Sequence, residues 1–270
     1  MINKHILPVF SEKPMNKIKA SEIIQWQNNF LAKGYSESYN RMVNNQLVAI
    51  FNHAYRVYGL RDNPCSKVRK IGKSNASKME FLTKNDYEAF ICTVDQCTWY
   101  YTLYELLFWT GIRIGEALAL TRKDIDIKNL RINIDKTYHR SNGRDIITSP
   151  KTENSVRVID VPRFLVEEIE KYMQSMYDLN DNDRLYPITE RAVQKHMKRH
   201  LQKARLKEVR VHDLRHSHVA YLIDQGVEPL LIKERLGHSN IQITMNTYGH
   251  LYPNRQREVA DLLNKSRLGA

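Results

Sequence analysis

Along most of this chain apolar positions recur at steps of three or four, and the places where that rhythm fails divide it. In "KASEIIQWQNNFLAKG", Ile23, Ile24, Gln27 and Phe30/Leu31 keep helical spacing and Gly34 supplies a stop. In "SESYNRMVNNQLVAIFNHAYRVYG", Tyr39, Val43, Leu47, Ile50, Ala54 and Val57 form a second stripe ending at Gly59, with Arg41, Asn44, Asn45 and Arg56 off it. Periodicity is then lost through "RDNPCSKVRKIGKSNASKME", which gathers Lys67, Arg69, Lys70, Lys73 and Lys78 around Gly and Ser and reads as a basic linker. Helical spacing resumes at "FLTKNDYEAF", where Thr83 and Asp86 have capping-box spacing. "WYYTLYELLFWTG" is apolar nearly all round, which predicts a buried central helix stopped by Gly111. "LRINIDKTYHRSNGRDIITS" and "SVRVIDVP" read as short strands with Asn142-Gly143 as a hairpin turn, and from Pro162 onward the pattern is helical.

The fold class predicted is mainly α with a small antiparallel β-sheet, in two domains. Residues 1–66 form a helical unit, 67–79 a linker and 80–270 a mixed unit. Charge adds a direction. The chain carries a net +12, and residues 1–78 hold 13 Lys and Arg against 4 Asp and Glu. Cation concentrated in one segment is the footprint of a phosphate-backbone binder, with Arg41, Arg56, Lys67, Arg69, Lys70 and Lys73 as candidate DNA contacts. No apolar run approaches the ~20 residues of a membrane span. The opening "MINKHILPVFSEKP" has no secretory pattern. Cys65, Cys92 and Cys97 are odd in number and lack CxxC spacing, which suits reduced thiols in the cytoplasm.

Candidate chemistry lies in the second unit. Arg113 in "TGIRIGEALAL" is flanked by apolar residues, an expensive place for a guanidinium without an anionic partner, and Glu116 is near enough to be one. Read alone, the stretch fits a structural ion pair as well as an anion site. Lys151 in "SPKTENSVRV" reads as an ordinary hairpin-tip lysine. In "VHDLRHSHVAYL", His212 and Arg215 at i, i+3 share a helix face and suit one anion together. His238 follows "PLLIKERLG", and Tyr248 in "TMNTYGH" fits an amphipathic core position. His212/His216 and His196/His200 have zinc-compatible i, i+4 spacing but no third ligand in place, so no metal or cofactor is expected.

In order, Arg113, Lys151, His212 with Arg215, His238 and Tyr248 resemble the catalytic set of the tyrosine recombinases, specifically integrases of phages and conjugative elements. "TGIRIGEALAL" is similar to the family's first arginine box, "SPKTENSVRVIDVP" to its lysine hairpin, "VHDLRHSHVAYLIDQG" to its His-x-x-Arg box, "LGHSNIQIT" to its Leu-Gly-His box and "TYGH" to its nucleophile box. The resemblance implies that Arg113 and Arg215 bind a scissile phosphate, His238 adds a hydrogen bond, Tyr248 attacks with its proton passing towards His212, and Lys151 protonates the leaving 5′-oxygen. It further implies a 3′-phosphotyrosine intermediate, core-type attachment sites on double-stranded DNA, a homotetramer passing through a four-way junction, and a directionality factor or host DNA-bending protein. Glu116 would orient Arg113. His216 then reads as a second-layer or core-edge group, and His218 as surface.

A type IB topoisomerase would use the same residue types. A regulator would use "LIDQGVEPLLIKERLGHSNIQITMNTYGH" as a helix-turn-helix, which leaves Arg113 and Lys151 unexplained. Two further expectations concern the ends. "NRQREVADLLNKSRL" is too short for a stable lone helix and, by the resemblance, docks on a neighbouring protomer. "HILPVF" resembles the close of the first core-binding helix with too few residues before it, so the chain is expected to lack an N-terminal portion, including an arm-site domain.

Overall fold

The computed structural model describes residues 1–73, 80–150 and 155–251, together with Asn264. The chain separates into two compact units, Met1–Met79 and Glu80–Ala270. The first begins with two single-turn helices, α1 (Ile2–His5) and α2 (Leu7–Phe10), followed by α3 (Ala20–Leu31) and α4 (Glu37–Val57). Its core mixes aromatic rings with branched aliphatic side chains. Phe10, Trp26 and Phe30 are buried with Ile23, Val43, Leu47 and Phe51, and the Trp26 indole donates to the His5 carbonyl at 2.9 Å. The α3 stripe sits on Ile23, Trp26, Gln27 and Phe30, whereas Ile24 and Leu31 face solvent. Asn44, read as available off the stripe of α4, is instead buried: it accepts from the Gln27 amide at 2.9 Å, and that same nitrogen donates to the Arg69 carbonyl. A buried amide pair of this kind ties two helices to the chain beyond them. Val68 and Ile71, inside the stretch read as linker, pack on this core.

The second unit opens with α5 (Lys84–Ile91), whose Thr83–Asp86 capping box forms as its spacing predicts. The buried helix α6 (Trp99–Thr110) is its axis; Tyr87 of α5 stacks on Phe108 with ring centroids 3.7 Å apart and donates to Glu105. Gly111 ends α6 at φ +67°, and a Cβ there would lie 2.5 Å from the His218 ring, so backbone shape and packing both require glycine. Helix α7 (Ile114–Ala119) follows. Strands β1 (Ile125–Asp126), β2 (Arg131–Ile134) and β5 (Arg157–Asp160) make an antiparallel sheet in the order β1-β2-β5. Strands β3 (Thr137–Ser141) and β4 (Arg144–Thr148) make a separate hairpin across Asn142 and Gly143, both at positive φ. The single small sheet expected is therefore two. Among the described residues there follow α8 (Arg163–Ser175), α9 (Glu190–Lys203), α10 (Asp213–Asp224), α11 (Pro229–Leu236) and α12 (Ile241–Tyr248). Mainly helical architecture with small antiparallel sheets is what the residue pattern predicts. Among the described residues no helix is long and apolar enough to cross a membrane.

Candidate active site

The turn that ends α6 places the first charged group. After Gly111 the chain buries Ile112 and sets Arg113 as the residue before α7, so the Glu116 carboxylate, one turn on, reaches back to it. Glu116 accepts from the Arg113 backbone N–H at 2.9 Å and from its guanidinium at 2.8 Å. A second guanidinium, that of Arg157 on β5, reaches the same carboxylate at 2.9 and 3.3 Å and donates to the Arg235 carbonyl at 2.9 Å. Burial alone would raise the Glu116 pKa. The hydrogen bonds and charge of Arg157, with those of Arg113, outweigh it and hold the group below the usual carboxylate range. One buried anion thus orients two arginines, and Arg113 keeps 38% of its side chain exposed for another anion.

Arg215 lies deeper, 4% exposed on the first turns of α10. Its Nη1 donates to the Gly111 carbonyl and one Nη2 hydrogen to the Leu236 carbonyl, each at 2.8 Å, while Nη2 also stands 3.1 Å from His238 Nε2. Burial and neighbouring Arg113 pull its pKa down to about 9, with Glu116 opposing, so it remains charged at neutral pH. Among the described residues no carboxylate forms an ion pair with it. His238 follows Gly237, the left-handed end of α11, and its Nδ1 meets buried Thr244 Oγ1 at 2.8 Å. Burial and then Arg215 lower its pKa to about 4. As a neutral ring it accepts from Arg215 and donates to Thr244.

Tyr248 ends α12 at 2% exposure, with its hydroxyl 2.6 Å from His216 Nδ1. Burial pushes the phenol up to about 12, against the pull of Arg215. The hydroxyl therefore meets His216, whereas the resemblance to the recombinases implies His212 as the proton's destination; His212 sits on the exposed rim at the start of α10, its ring edge-on to His216 at 5.4 Å. His218, read as surface, is 2% exposed and packs under Gly111, where Arg235 Nε donates to its Nε2 at 3.1 Å. Lys151 lies outside the described residues. Arg56, Lys67, Arg69, Lys70 and Lys73 are exposed, with Lys67 paired to Asp62; Arg41 is half-buried. His196 and His200 stack face to face at 4.3 Å, and their Nδ1 atoms meet different hydroxyls, Tyr104 Oη at 3.1 Å and Thr93 Oγ1 at 3.0 Å. Among the described residues no group of three or more His, Cys, Asp or Glu is placed to hold a metal ion.

The residue pattern missed Arg157, although a signal was present. On β5 Val158 is exposed while Arg157 and Ile159 share the inner face, so the alternation puts a cation where an apolar residue belongs.

Burial of His218 has a consequence for acid stability. Burial and Arg235 lower its pKa to about 3, against 6.5 in an open chain. Its contribution is intact above pH 6.5 and is lost as pH falls towards 3, because the unfolded chain takes up the proton first. Between pH 6.5 and 5 this alone removes about 2 kcal/mol. Urea unfolding is expected to show that loss, reduced by a similar amount in His218→Phe; an equal pH slope in the variant would contradict the assignment.

A family model described as "Phage integrase family" matches residues 80–255, and one described as "Phage integrase, N-terminal SAM-like domain" matches residues 1–31. The ICEBs1 integrase of Bacillus subtilis is 34% identical over 281 residues, spanning 98% of this chain and 75% of its own length. A "Tyrosine recombinase XerC-like" protein of Caldanaerobacter subterraneus is 29% identical over 92% of this chain and 71% of its own. Among solved structures, the Tn1549 transposon integrase in complex with transposon right-end DNA aligns with a TM-score of 0.74 at 23% identity, over 96% of this chain and 88% of that one. A lambda integrase dimer bound to a core site aligns with a TM-score of 0.64 at 17% identity, over 89% and 86%. These structural likenesses concern the fold.

Proposed function

This chain belongs to the phage integrase family, and from that premise we propose that it is a site-specific DNA recombinase in which Tyr248 attacks a phosphodiester held by Arg113 and Arg215. The observation that carries the residue assignment is the convergence of Arg215 on α10, His238 just after α11 and Tyr248 on α12 beside the Arg113–Glu116–Arg157 cluster. A phosphodiester resists attack because its oxygens are anionic, and more charge gathers on them in the pentacoordinate transition state. Two fixed guanidiniums stabilise that charge without reorganising, which is commonly the largest catalytic contribution. Arg113 offers its exposed edge, and Arg215 offers the N–H groups its backbone partners leave over. Tyr248 Oη then bonds to phosphorus as the P–O5′ bond breaks. The 3′-phosphotyrosine keeps the bond energy for rejoining to a partner strand's 5′-hydroxyl.

The DNA partner follows from family membership and the basic first unit; the relatives named above include proteins solved on transposon-end and core-site DNA. Assembly as a homotetramer on paired core sites, with a directionality or DNA-bending partner, belongs to the same proposal. So do the domain assignments, with residues 1–66 binding core DNA and 80–270 carrying catalysis. The topoisomerase and regulator readings are not favoured, since similarity to integrases runs along nearly the whole chain. The direct test is a denaturing gel after incubation with duplex carrying the joined ends of the element that encodes the protein. A denaturant-resistant protein–DNA species is expected, and its absence under conditions of demonstrated binding would overturn the reading.

Lys151 is assigned the general acid for the leaving oxygen. Lys151→Ala is expected to slow cleavage of ordinary DNA by roughly 10²–10⁴-fold. Sulfur at the scissile 5′-bridging position should restore most of the rate, because a thiolate leaves without a proton. Equal defects on both substrates would remove the assignment.

A further inference from the structure

The hydroxyl expected to attack DNA has one close polar partner among the described residues, and the residue pattern gave that partner no role. His216 Nδ1 lies 2.6 Å from Tyr248 Oη. The ring's other nitrogen, Nε2, lies 4.0 Å from Asp213 Oδ1. Asp213 is itself fixed: it is 3% exposed and accepts from the Arg210 backbone N–H at 2.8 Å and from the Arg210 guanidinium at 2.9 and 3.2 Å. Nucleophile, imidazole and carboxylate therefore stand in sequence; at 4.0 Å the carboxylate is beyond hydrogen-bond reach and acts on the ring through its charge. When Nδ1 accepts from the phenol, the neutral ring carries its proton on Nε2, on the side of Asp213.

We infer that His216, rather than His212, takes the phenolic proton of Tyr248 during strand cleavage and returns it on rejoining. The inference rests on the reading of Tyr248 as nucleophile. As Tyr248 Oη bonds to phosphorus, its proton moves to His216 Nδ1, and the P–O5′ bond breaks with the leaving oxygen protonated by the general acid. In rejoining, a 5′-hydroxyl bonds to phosphorus and loses its proton to that acid, while Tyr248 Oη leaves and recovers its proton from His216.

The surroundings suit a base that charges only when substrate is present. His216 is faced by His212, Asp213 and Arg215 from α10, by Arg210 from the turn before it, and by Tyr248 and His238 from the opposite side. Burial first, then His212, Arg210 and Arg215 against Asp213, lower its pKa to about 4, so the free ring is neutral and able to accept. A phosphate between Arg113 and Arg215 brings negative charge that offsets those cations, which favours the imidazolium as the proton arrives. His212, at the rim, is left free to contact DNA.

The test is single-turnover cleavage of a nicked duplex bearing the joined element ends, from pH 5.5 to 9, with binding to the duplex measured separately. His216→Asn keeps an acceptor near the Nδ1 position but no base. At pH 7 it should cleave roughly 10²–10³-fold more slowly. Its rate should climb with pH towards 9, where the wild type is flat. His212→Asn should keep the shape of the wild-type pH dependence, whatever it costs in rate or binding. A His216→Asn profile parallel to the wild type, or a new pH slope in His212→Asn instead, would overturn the inference. Should His216→Asn fail to bind the duplex, ¹⁵N-histidine NMR of the wild type and of Tyr248→Phe decides. One Nδ1 resonance should move on loss of the phenol, and an unchanged spectrum would overturn the contact. A covalent adduct in Tyr248→Phe would have a different meaning, because it removes the nucleophile assignment itself.

Discussion

Tyr248→Phe is expected to abolish covalent attachment to DNA completely while leaving binding to the same duplex intact. The substitution deletes one oxygen from a side chain that is 2% exposed, and the ring that remains fills the same space at the end of α12. The structural cost is the unpaired His216 Nδ1, about 1–3 kcal/mol for a buried polar atom. That ring keeps some solvent access, so the true cost falls at the lower end. The cation cluster is untouched, because the contacts of Arg113, Arg157 and Arg215 do not involve the phenol oxygen. A gel shift and a denaturing gel on one preparation separate the two effects. If the Phe variant still yields a denaturant-resistant adduct, the nucleophile lies elsewhere, and Tyr252, outside the described residues, becomes the candidate.

How far the site was legible in the residues depended on distance along the chain. Arg113 and Glu116 are three apart at a helix start, where geometry is fixed by the backbone, and they pair as that spacing requires. Arg157 meets Glu116 across 41 positions through strand packing, which no local rule expresses. Arg215 was readable as an anion ligand beside His212, but its real companions, the carbonyls of Gly111 and Leu236, are backbone atoms that no side-chain motif reports.

Helix α10 shows why His218 was misjudged and why His216 could be read only as a second-layer or core-edge group. Periodicity assigns a face only when one side of a helix meets water. Here Asp213, Leu214, Arg215, Ser217, His218 and Val219 are all buried, so α10 is enclosed nearly all round and polar residues carry no sign of which way they point. The same failing in reverse affected the first unit, where Ile24, Leu31 and Val57 keep helical spacing yet stay exposed. An apolar side chain on the surface is cheap to leave there, and spacing alone does not forbid it. By contrast, the Thr83 cap, the Gly111 stop and the Asn142–Gly143 turn formed as expected, because each is decided within four residues.

The second large effect is expected at Arg215, and a lysine shows it more sharply than a deletion. Arg215 spends its inward N–H groups on the Gly111 and Leu236 carbonyls and on His238, which leaves Nε–H and one Nη1–H for an incoming phosphate. A lysine ammonium has as many hydrogens as Arg215 already has partners, so one that satisfied them would have none left for DNA. It is also a shorter, pointlike donor, unable to span carbonyls on two different turns and an anion at once. Arg215→Lys should therefore cost roughly 10²–10³ in the cleavage step, the scale of losing a preorganised donor to developing negative charge. Binding should change little, since most affinity for DNA comes from many phosphate contacts elsewhere. Arg215→Ala should lose at least as much cleavage and also destabilise the fold, by about 1–3 kcal/mol for each buried carbonyl left unpaired. Comparing the two separates chemistry from folding. Single-turnover cleavage with enzyme in excess, beside urea unfolding of each variant, is the measurement. A lysine variant that unfolds like the wild type and cleaves within a few-fold of it would mean that the Arg215 guanidinium is not needed in the cleavage step.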